Sequence, residues 1–187
     1  MEISEKQTKI ISENGFSSVE KDSIMDISKR QAGVLMPVSS LPSEHGIGTF
    51  GKEAYQFVDF LSESGQSYWQ MLPLNVTAYG DSPYQSPSST GLNYYFIDLD
   101  ALREKGLLTK QEIASSGLDD DGKRVNYGNL FEKRIPLLKK AFSRFDCKDS
   151  RFRLFVAEKE FNDFAFYRTR KERFAYRPWY EWDEEYK

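Results

Sequence analysis

The stretch YWQMLPLNVTAYGDSPYQS, Tyr68–Ser86, decides how the rest of the chain is interpreted. Its first five residues are strand-forming apart from Gln70, as expected for a short buried strand. Pro73 then has no N–H to donate to a neighbouring strand, so pairing should end there. The pattern predicts a strand that runs directly into a polar, aromatic loop.

The loop residues 80–91 include no aliphatic side chain. A sugar-binding loop needs flat rings for the apolar C–H faces of the sugar and short polar groups for its hydroxyls. Pro83 restricts its own φ and that of the residue before it, so the loop is partly preorganised. The same composition also fits a turn-rich surface linker. The candidate sugar-binding residues are Tyr79, Asp81, Ser82, Tyr84 and Gln85.

The elements around this stretch predict an α/β fold. Ala32–Val38 is a continuous apolar run, typical of a strand buried on both faces of a parallel sheet. Lys52–Ser64 has one apolar face at helical spacing, and Gly65 suits the position after a helix. The strand from Tyr68 then pairs in parallel with the first. Tyr94–Leu99 predicts a further short strand.

The pattern of the second half of the chain predicts helices. Short helices are expected at Asp100–Lys105 and Thr109–Ser115, with Asp98 or Asp100 and Thr109 as caps. In Asn129–Phe145, Pro136 should either kink the helix or restart it. Arg151–Phe174 predicts one long helix whose aromatic residues are core.

Length, charge and cysteine content narrow the class of protein. The 187 residues allow one domain, or two at most, and 26 basic against 29 acidic residues give a net charge of −3. No basic face for nucleic acid or an anionic membrane is expected, and no apolar run is long enough to span a bilayer. The single cysteine, Cys147, fits a reducing compartment.

Residues 1–29 predict a flexible leader, with a short helix near Ser18–Ile27. This leader resembles no signal peptide, so a cytoplasmic protein is expected.

No metal or cofactor site is expected. His45 is the sole histidine, and a lone loop histidine is usually solvated. The acidic turn Ser116–Lys123 lacks the spacing of a calcium loop. No Gly-rich phosphate loop is present. The neighbouring carboxylates Asp98 and Asp100, like Glu184 and Glu185, are interpreted as surface residues.

Three ordered segments resemble one enzyme family. They are RQAGVLMPVSSLPSEHGIGTFG (Arg30–Gly51), GQSYWQMLPLNVTAYGDSPYQS (Gly65–Ser86) and NYYFIDLDALREKGLL (Asn93–Leu108). They are similar to the amino-terminal part of the amylomaltases, the 4-α-glucanotransferases of glycoside hydrolase family 77. The resemblance extends over residues 30–187.

The resemblance implies the amino-terminal part of a (β/α)8 TIM barrel with an inserted α-helical subdomain. Residues 30–99 would form the first barrel strands and helix, and residues 100–187 the insertion. Ligand sites in such barrels lie at the carboxyl ends of the strands. By resemblance, Tyr84 stacks on a donor glucose near the cleavage point, and Tyr79 binds glucan away from the scissile bond. Asp81, Ser82 and Gln85 would line the donor sugar pocket.

The reaction that the resemblance implies is retaining transfer of α-1,4-glucan segments to glucose or maltodextrin acceptors. It needs two carboxyl groups ~5 Å apart, and the family supplies them from later barrel strands, so no catalytic residue is assigned in this sequence. The chain alone is expected to be inactive. Two alternatives remain: a non-catalytic α-glucan-binding module, and a helical interaction domain whose aromatic residues are core. The oligomeric state is not indicated.

Overall fold

The computed structural model describes residues 30–118, 123–157 and 159–186. The chain divides into two compact units, Met1–Ala32 and Gly33–Lys187, and every described helix and strand belongs to the second. The predicted leader and its helix lie outside the described residues, as does the middle of the acidic turn Ser116–Lys123. None of the described helices is long and apolar enough to cross a membrane.

The predicted parallel strand pair is confirmed. β1 (Gly33–Leu35) pairs with β2 (Tyr68–Gln70), and α1 (Lys52–Glu63) connects them. Both strands are shorter than predicted, because Pro37 and Pro73 follow them closely and lack a backbone N–H. A 3-10 turn, Val38–Ser40, follows β1 after two residues.

The prediction that the strands are buried on both faces is wrong for this chain. Val34 and Trp69 are half-buried, whereas the Leu35 side chain is 53% exposed and Tyr68 is also exposed. A small core of Val38, Leu41 and Ala54 packs on one face only. The described residues provide no second layer for the other face.

The predicted strand Tyr94–Leu99 is also wrong. Tyr94–Phe96 is a 3-10 turn, because the Asn93 side chain accepts a hydrogen bond from the Tyr95 N–H at 3.0 Å. Ile97 and Asp98 are extended but pair with no strand among the described residues. α2 (Leu99–Glu104) begins immediately afterwards.

The predicted short helices and their caps are confirmed. The Asp98 carboxylate accepts from the Ala101 N–H at 2.7 Å and caps α2. α3 (Lys110–Ala114) begins with a capping box, in which Thr109 and Glu112 bond each other's backbone N–H.

The predicted helix at 129–145 restarts at its proline. It consists of α4 (Tyr127–Asn129), a π turn (Leu130–Arg134) and α5 (Ile135–Ser143), with Pro136 in the first turn of α5. The main core lies between these helices and the first half of the chain. Its buried members are Ile47, Tyr95, Leu99, Leu108, Ile113, Leu118, Leu130, Leu137 and Ala141.

The predicted single helix at 151–174 is wrong. The chain forms α6 (Ser150–Val156) and α7 (Lys159–Arg173), and the Asn162 side chain donates to the Val156 carbonyl that ends α6. The expectation that its aromatic residues are core holds only in part, since Phe166 is exposed and Phe155, although it stacks on Phe161 at 4.5 Å, is also exposed. Two further 3-10 turns follow, Trp179–Glu181 and Glu184–Tyr186.

Arg134 connects the helical half of the chain to two segments of the first half, at His45 and Ile97. Its side chain is 0% exposed, and its guanidinium donates to the carbonyls of His45 at 3.1 Å and Ile97 at 2.7 Å. Burial lowers the Arg134 pKa to about 10, against the opposing effect of the nearby Asp98 carboxylate. The group therefore remains charged at neutral pH and holds three segments together.

Candidate functional site

The loop after β2 is closed at its base. Asn75 and Leu92 form an antiparallel bridge, and the Val76 N–H donates to the Gly91 carbonyl at 2.8 Å. A side chain at Gly91 would meet the ring of Phe164 on α7, since a Cβ there would lie 2.6 Å from that ring. The base of the loop is therefore packed directly against the helical half of the chain.

The tip of the loop is a hydrogen-bonded turn. The Asp81 N–H donates to the Ala78 carbonyl at 3.1 Å, and the Ala78 N–H donates to the Gln85 carbonyl at 3.0 Å. Gly80 and Asp81 have φ of +96° and +56°. Gly and Asp are among the residues that tolerate the left-handed region best, so the Gly-Asp pair suits this turn.

The five predicted sugar-binding residues lie on one loop but not in one site. Tyr79 is fully exposed and Tyr84 is 76% exposed, so neither ring is buried in the interior. Asp81 and Ser82 are half-buried, and Gln85 is exposed. Tyr79 and Asp81 line a cavity, whereas Ser82, Tyr84 and Gln85 are not among its lining residues.

This cavity, called here the loop–helix cavity, has a volume of about 710 Å³. One wall is the loop after β2, and the others come from the 3-10 turn at Tyr94–Phe96, the α4 region and α7. The lining residues are Val76, Thr77, Ala78, Tyr79, Asp81, Pro87, Tyr94, Tyr95, Tyr127, Gly128, Phe131, Phe164, Tyr167, Arg168, Lys171 and Tyr176.

Burial favours the neutral forms of three ionisable groups in the cavity, Asp81, Tyr95 and Tyr127, by raising their pKa values. Burial raises the pKa of the Asp81 carboxyl, and a 3.3 Å hydrogen bond from the Thr77 hydroxyl partly offsets this. Burial, helped by the Asp81 charge, raises the pKa of the Tyr95 and Tyr127 phenols. Because these phenols stay protonated, each can both donate and accept a hydrogen bond.

The far wall of the cavity was missed at the sequence level. Tyr127, Phe131 and Arg168 are 48 to 89 residues from Tyr79, and their aromatic or charged character is equally typical of core or surface positions. The aromatic density of the α7 segment was the one available signal. A single sequence offers nothing that assigns those rings to the cavity and not to the core.

Two predictions about polar residues outside the cavity need correction. His45 is half-buried, not solvated, and its Nε2 lies 3.0 Å from the Asp100 carboxylate. Asp98 is half-buried, and besides capping α2 it accepts a 2.7 Å hydrogen bond from Thr49. Both carboxylates are thus committed to the fold. Within the described ranges, no three metal-ligating side chains cluster together.

Comparisons with known proteins point to one family. The family model described as 4-alpha-glucanotransferase, glycoside hydrolase family 77, matches residues 36–187. The 4-alpha-glucanotransferase of Clostridium butyricum is 43% identical over 155 residues, which are 81% of this chain and 32% of that protein. The 4-alpha-glucanotransferase of Streptococcus pneumoniae is 47% identical over 162 residues, 83% of this chain and 32% of its relative.

A solved structure agrees with the sequence relatives. The amylomaltase of Streptococcus agalactiae in complex with acarbose matches with a TM-score of 0.76 and 45% identity, over 83% of this chain and 32% of that one. The chain therefore spans about a third of the length of the relatives it matches. On the match to residues 36–187, this chain belongs to the 4-alpha-glucanotransferase family, glycoside hydrolase family 77.

Proposed function

We propose that this chain binds α-1,4-glucans in the loop–helix cavity, as the sugar-binding amino-terminal part of a 4-α-glucanotransferase. One observation carries the proposal. Tyr79 and Asp81, selected from the sequence as sugar-binding residues, line the same cavity as distant aromatic residues such as Tyr127 and Phe131.

The lining of the cavity suits a neutral sugar. Its rings offer flat apolar surfaces for the C–H faces of glucose. The protonated phenols of Tyr95 and Tyr127 and the Asp81 carboxyl supply both donors and acceptors for hydroxyl groups. The volume lies within the range of known small-molecule sites, about 300–1,000 Å³.

Within the complete enzyme, we propose that β1, α1 and β2 are the first units of a (β/α)8 barrel. Residues 100–187 would form an inserted helical subdomain. The exposed strand side chains Leu35 and Tyr68 support this, because later barrel elements would cover them. The loop that follows β2 would then lie at the carboxyl ends of the strands, where barrel enzymes bind their ligands.

We further propose two separate roles along the loop. Tyr84, Ser82 and Gln85 would contact a donor glucose near the scissile bond. Tyr79 would hold the glucan further along, in the loop–helix cavity. Asp81, which the resemblance assigns to the donor sugar pocket, would join Tyr79 there, because it lines that cavity. The division between residues that line the cavity and residues that do not supports this assignment.

The proposed reaction of the complete enzyme is retaining transfer between glucans, with glucose or maltodextrin as acceptor. It requires a nucleophile and an acid/base carboxyl ~5 Å apart across the bond. Asp98 and Asp100 bond the backbone of α2, Thr49, His45 and Arg103 instead. We therefore propose that neither belongs to the catalytic pair, which the family resemblance assigns to later strands of the complete barrel.

A non-catalytic glucan-binding module is the second candidate. The commitment of the paired carboxylates to the fold favours it for the chain by itself. Both candidates predict that the chain binds α-1,4-glucans. They differ in whether adjoining polypeptide would supply the two catalytic carboxyl groups.

Isothermal titration of the chain with maltoheptaose tests the shared proposal. Tyr79→Ala should abolish or strongly weaken binding, because it removes the exposed ring at the cavity mouth. Tyr55→Ala is the matched control, since Tyr55 is 73% exposed on α1 and does not line the cavity. Equal affinity in all three proteins, or no binding by the unmodified chain, would refute the proposal. Glucose released from maltotriose by the chain alone would refute the assignment of the catalytic groups elsewhere.

A further inference from the structure

The end of α7 has an unusual backbone. Ala175 and Tyr176 have φ of +50° and +60°, in the left-handed region. Residues with a Cβ rarely adopt this conformation, and glycine or asparagine would relieve the strain. Two successive strained residues are a reason to ask what the turn positions.

Several contacts hold the turn in place. The Tyr176 N–H donates to the Lys171 carbonyl at 2.7 Å. The Lys171 ammonium donates to the carbonyls of Tyr176 and Arg177, both at 2.9 Å. Trp182 donates its ring N–H to the Arg177 carbonyl at 3.1 Å. The strain is thus maintained by the surrounding structure, and Lys171 is committed to that role.

The turn places the Tyr176 ring in the wall of the loop–helix cavity. The ring packs edge-on against Phe131, with centroids 5.2 Å apart. The Arg168 guanidinium lies 4.8 Å from the Tyr176 ring centroid and 5.6 Å from that of Tyr94. Arg168 also donates to the Tyr94 hydroxyl at 2.7 Å. Two tyrosines therefore fix the position of one guanidinium.

Arg168 retains unused hydrogen-bonding capacity. A guanidinium has five N–H donors, and among the described residues only the Tyr94 hydroxyl accepts from this one. Since Arg168 is already held between rings, it loses little side-chain entropy when a ligand binds.

We propose that Arg168 is a specificity-determining residue of the loop–helix cavity, which donates hydrogen bonds to the hydroxyl groups of a bound glucose unit. Tyr176, through its strained turn, acts as the positioning residue for Arg168. The inference rests on the proposed function, because it takes an α-1,4-glucan as the ligand. Three charged side chains line the cavity, Asp81, Arg168 and Lys171, and the Lys171 ammonium already donates to two backbone carbonyls.

The test compares two arginines on α7 in the full chain. Arg170 lies over the rings of Phe166 at 4.0 Å and Tyr186 at 4.8 Å, donates to the Tyr186 carbonyl, and does not line the cavity. Arg168→Met should weaken maltoheptaose binding roughly tenfold, the effect of losing hydrogen bonds to a charged donor. Arg170→Met should leave the affinity unchanged.

Nuclear magnetic resonance of the unmodified chain, labelled with 15N-arginine, gives a second readout that does not depend on a variant folding. Maltoheptaose should shift the Arg168 Nε–H signal and leave that of Arg170 in place. Tyr176→Asn should weaken binding, because it removes the ring that holds Arg168; asparagine tolerates the left-handed turn, which offsets part of the packing lost with the ring.

The outcomes separate the two proposals. If Tyr79→Ala loses binding while Arg168→Met keeps full affinity and the Arg168 signal does not move, the inference about Arg168 is wrong and the proposed function stands. If the unmodified chain does not bind maltoheptaose, both are wrong.

Discussion

The surroundings of Arg134 and the loop–helix cavity both place polar groups among aromatic and aliphatic side chains, but they use those groups differently. The Arg134 guanidinium is fully buried and donates to the carbonyls of His45 and Ile97. In the cavity, Asp81 and Arg168 each have one side-chain hydrogen-bond partner among the described residues, Thr77 and Tyr94, and remain partly exposed. The Arg134 Nε has no hydrogen-bond partner among the described residues, but it is buried away from any ligand, so this guanidinium serves the fold. Partly exposed groups with remaining capacity are available to a ligand.

The largest expected effect is a loss of stability on substitution of Arg134. Arg134→Met should reduce the free energy of unfolding by about 3 kcal/mol, because two backbone carbonyls lose a fully buried donor and Asp98 loses a nearby positive charge. Urea denaturation followed by tryptophan fluorescence measures the change.

Arg144→Met is the control for that substitution. Arg144 is itself exposed, with two hydrogen bonds to the half-buried Glu112 and one to the Leu107 carbonyl, so its loss should be smaller than that of the fully buried Arg134. An Arg134→Met protein as stable as the Arg144→Met protein would contradict the role given to Arg134 in joining the two halves of the chain.

A smaller effect is expected where the loop base meets α7. Gly91→Ala should destabilise the fold by about 1–3 kcal/mol and weaken glucan binding, because a Cβ at Gly91 would lie 2.6 Å from the Phe164 ring. The double variant Gly91→Ala, Phe164→Leu should recover part of both losses. Additive effects in that double-mutant cycle would show that the two residues are not coupled.

The smallest expected effects are those of pH on stability, and they have opposite signs for Asp81 in the cavity and Asp100 beside His45. Burial raises the Asp81 pKa, so its contribution to stability is complete below 3.8 and is lost as pH rises through the raised pKa. For Asp100, burial also acts to raise the pKa, but hydrogen bonds from His45 and Arg103 outweigh it and lower the value. The Asp100 contribution is present above 3.8 and is lost as pH falls through the lowered pKa.

Denaturation of Asp81→Asn and Asp100→Asn across this pH range separates the two signs. At pH 7, Asp81→Asn should be neutral or slightly stabilising and Asp100→Asn slightly destabilising, each by less than about 1 kcal/mol. The opposite order would refute the electrostatic difference between the two regions.

Features that depend on neighbouring residues were predictable from the sequence, whereas features that depend on distant contacts were not. The features set by neighbouring residues were predicted correctly: the strand–helix–strand order, the caps at Asp98 and Thr109, and the restart at Pro136. The loop residues Tyr79 and Asp81, both selected from one short stretch, line one cavity, and their role in sugar binding stays a prediction.

The failures share a dependence on distant or competing contacts. The strand propensity of Tyr94–Leu99 was overridden by the Asn93 cap and by the lack of a strand partner among the described residues. Arg134 is a charged residue whose burial depends on carbonyls 37 and 89 residues away. The far wall of the cavity, including Tyr176, depends equally on long-range packing.

The most direct test of the central claim is to detect nuclear Overhauser effects between maltoheptaose and the aromatic side chains of the chain. Cross-peaks from glucose C–H protons to the rings of Tyr79 and Tyr127 are predicted, since both line the cavity. Cross-peaks confined to exposed aromatic residues outside it, such as Trp179 and Tyr180, would contradict the assignment of the cavity as the glucan site.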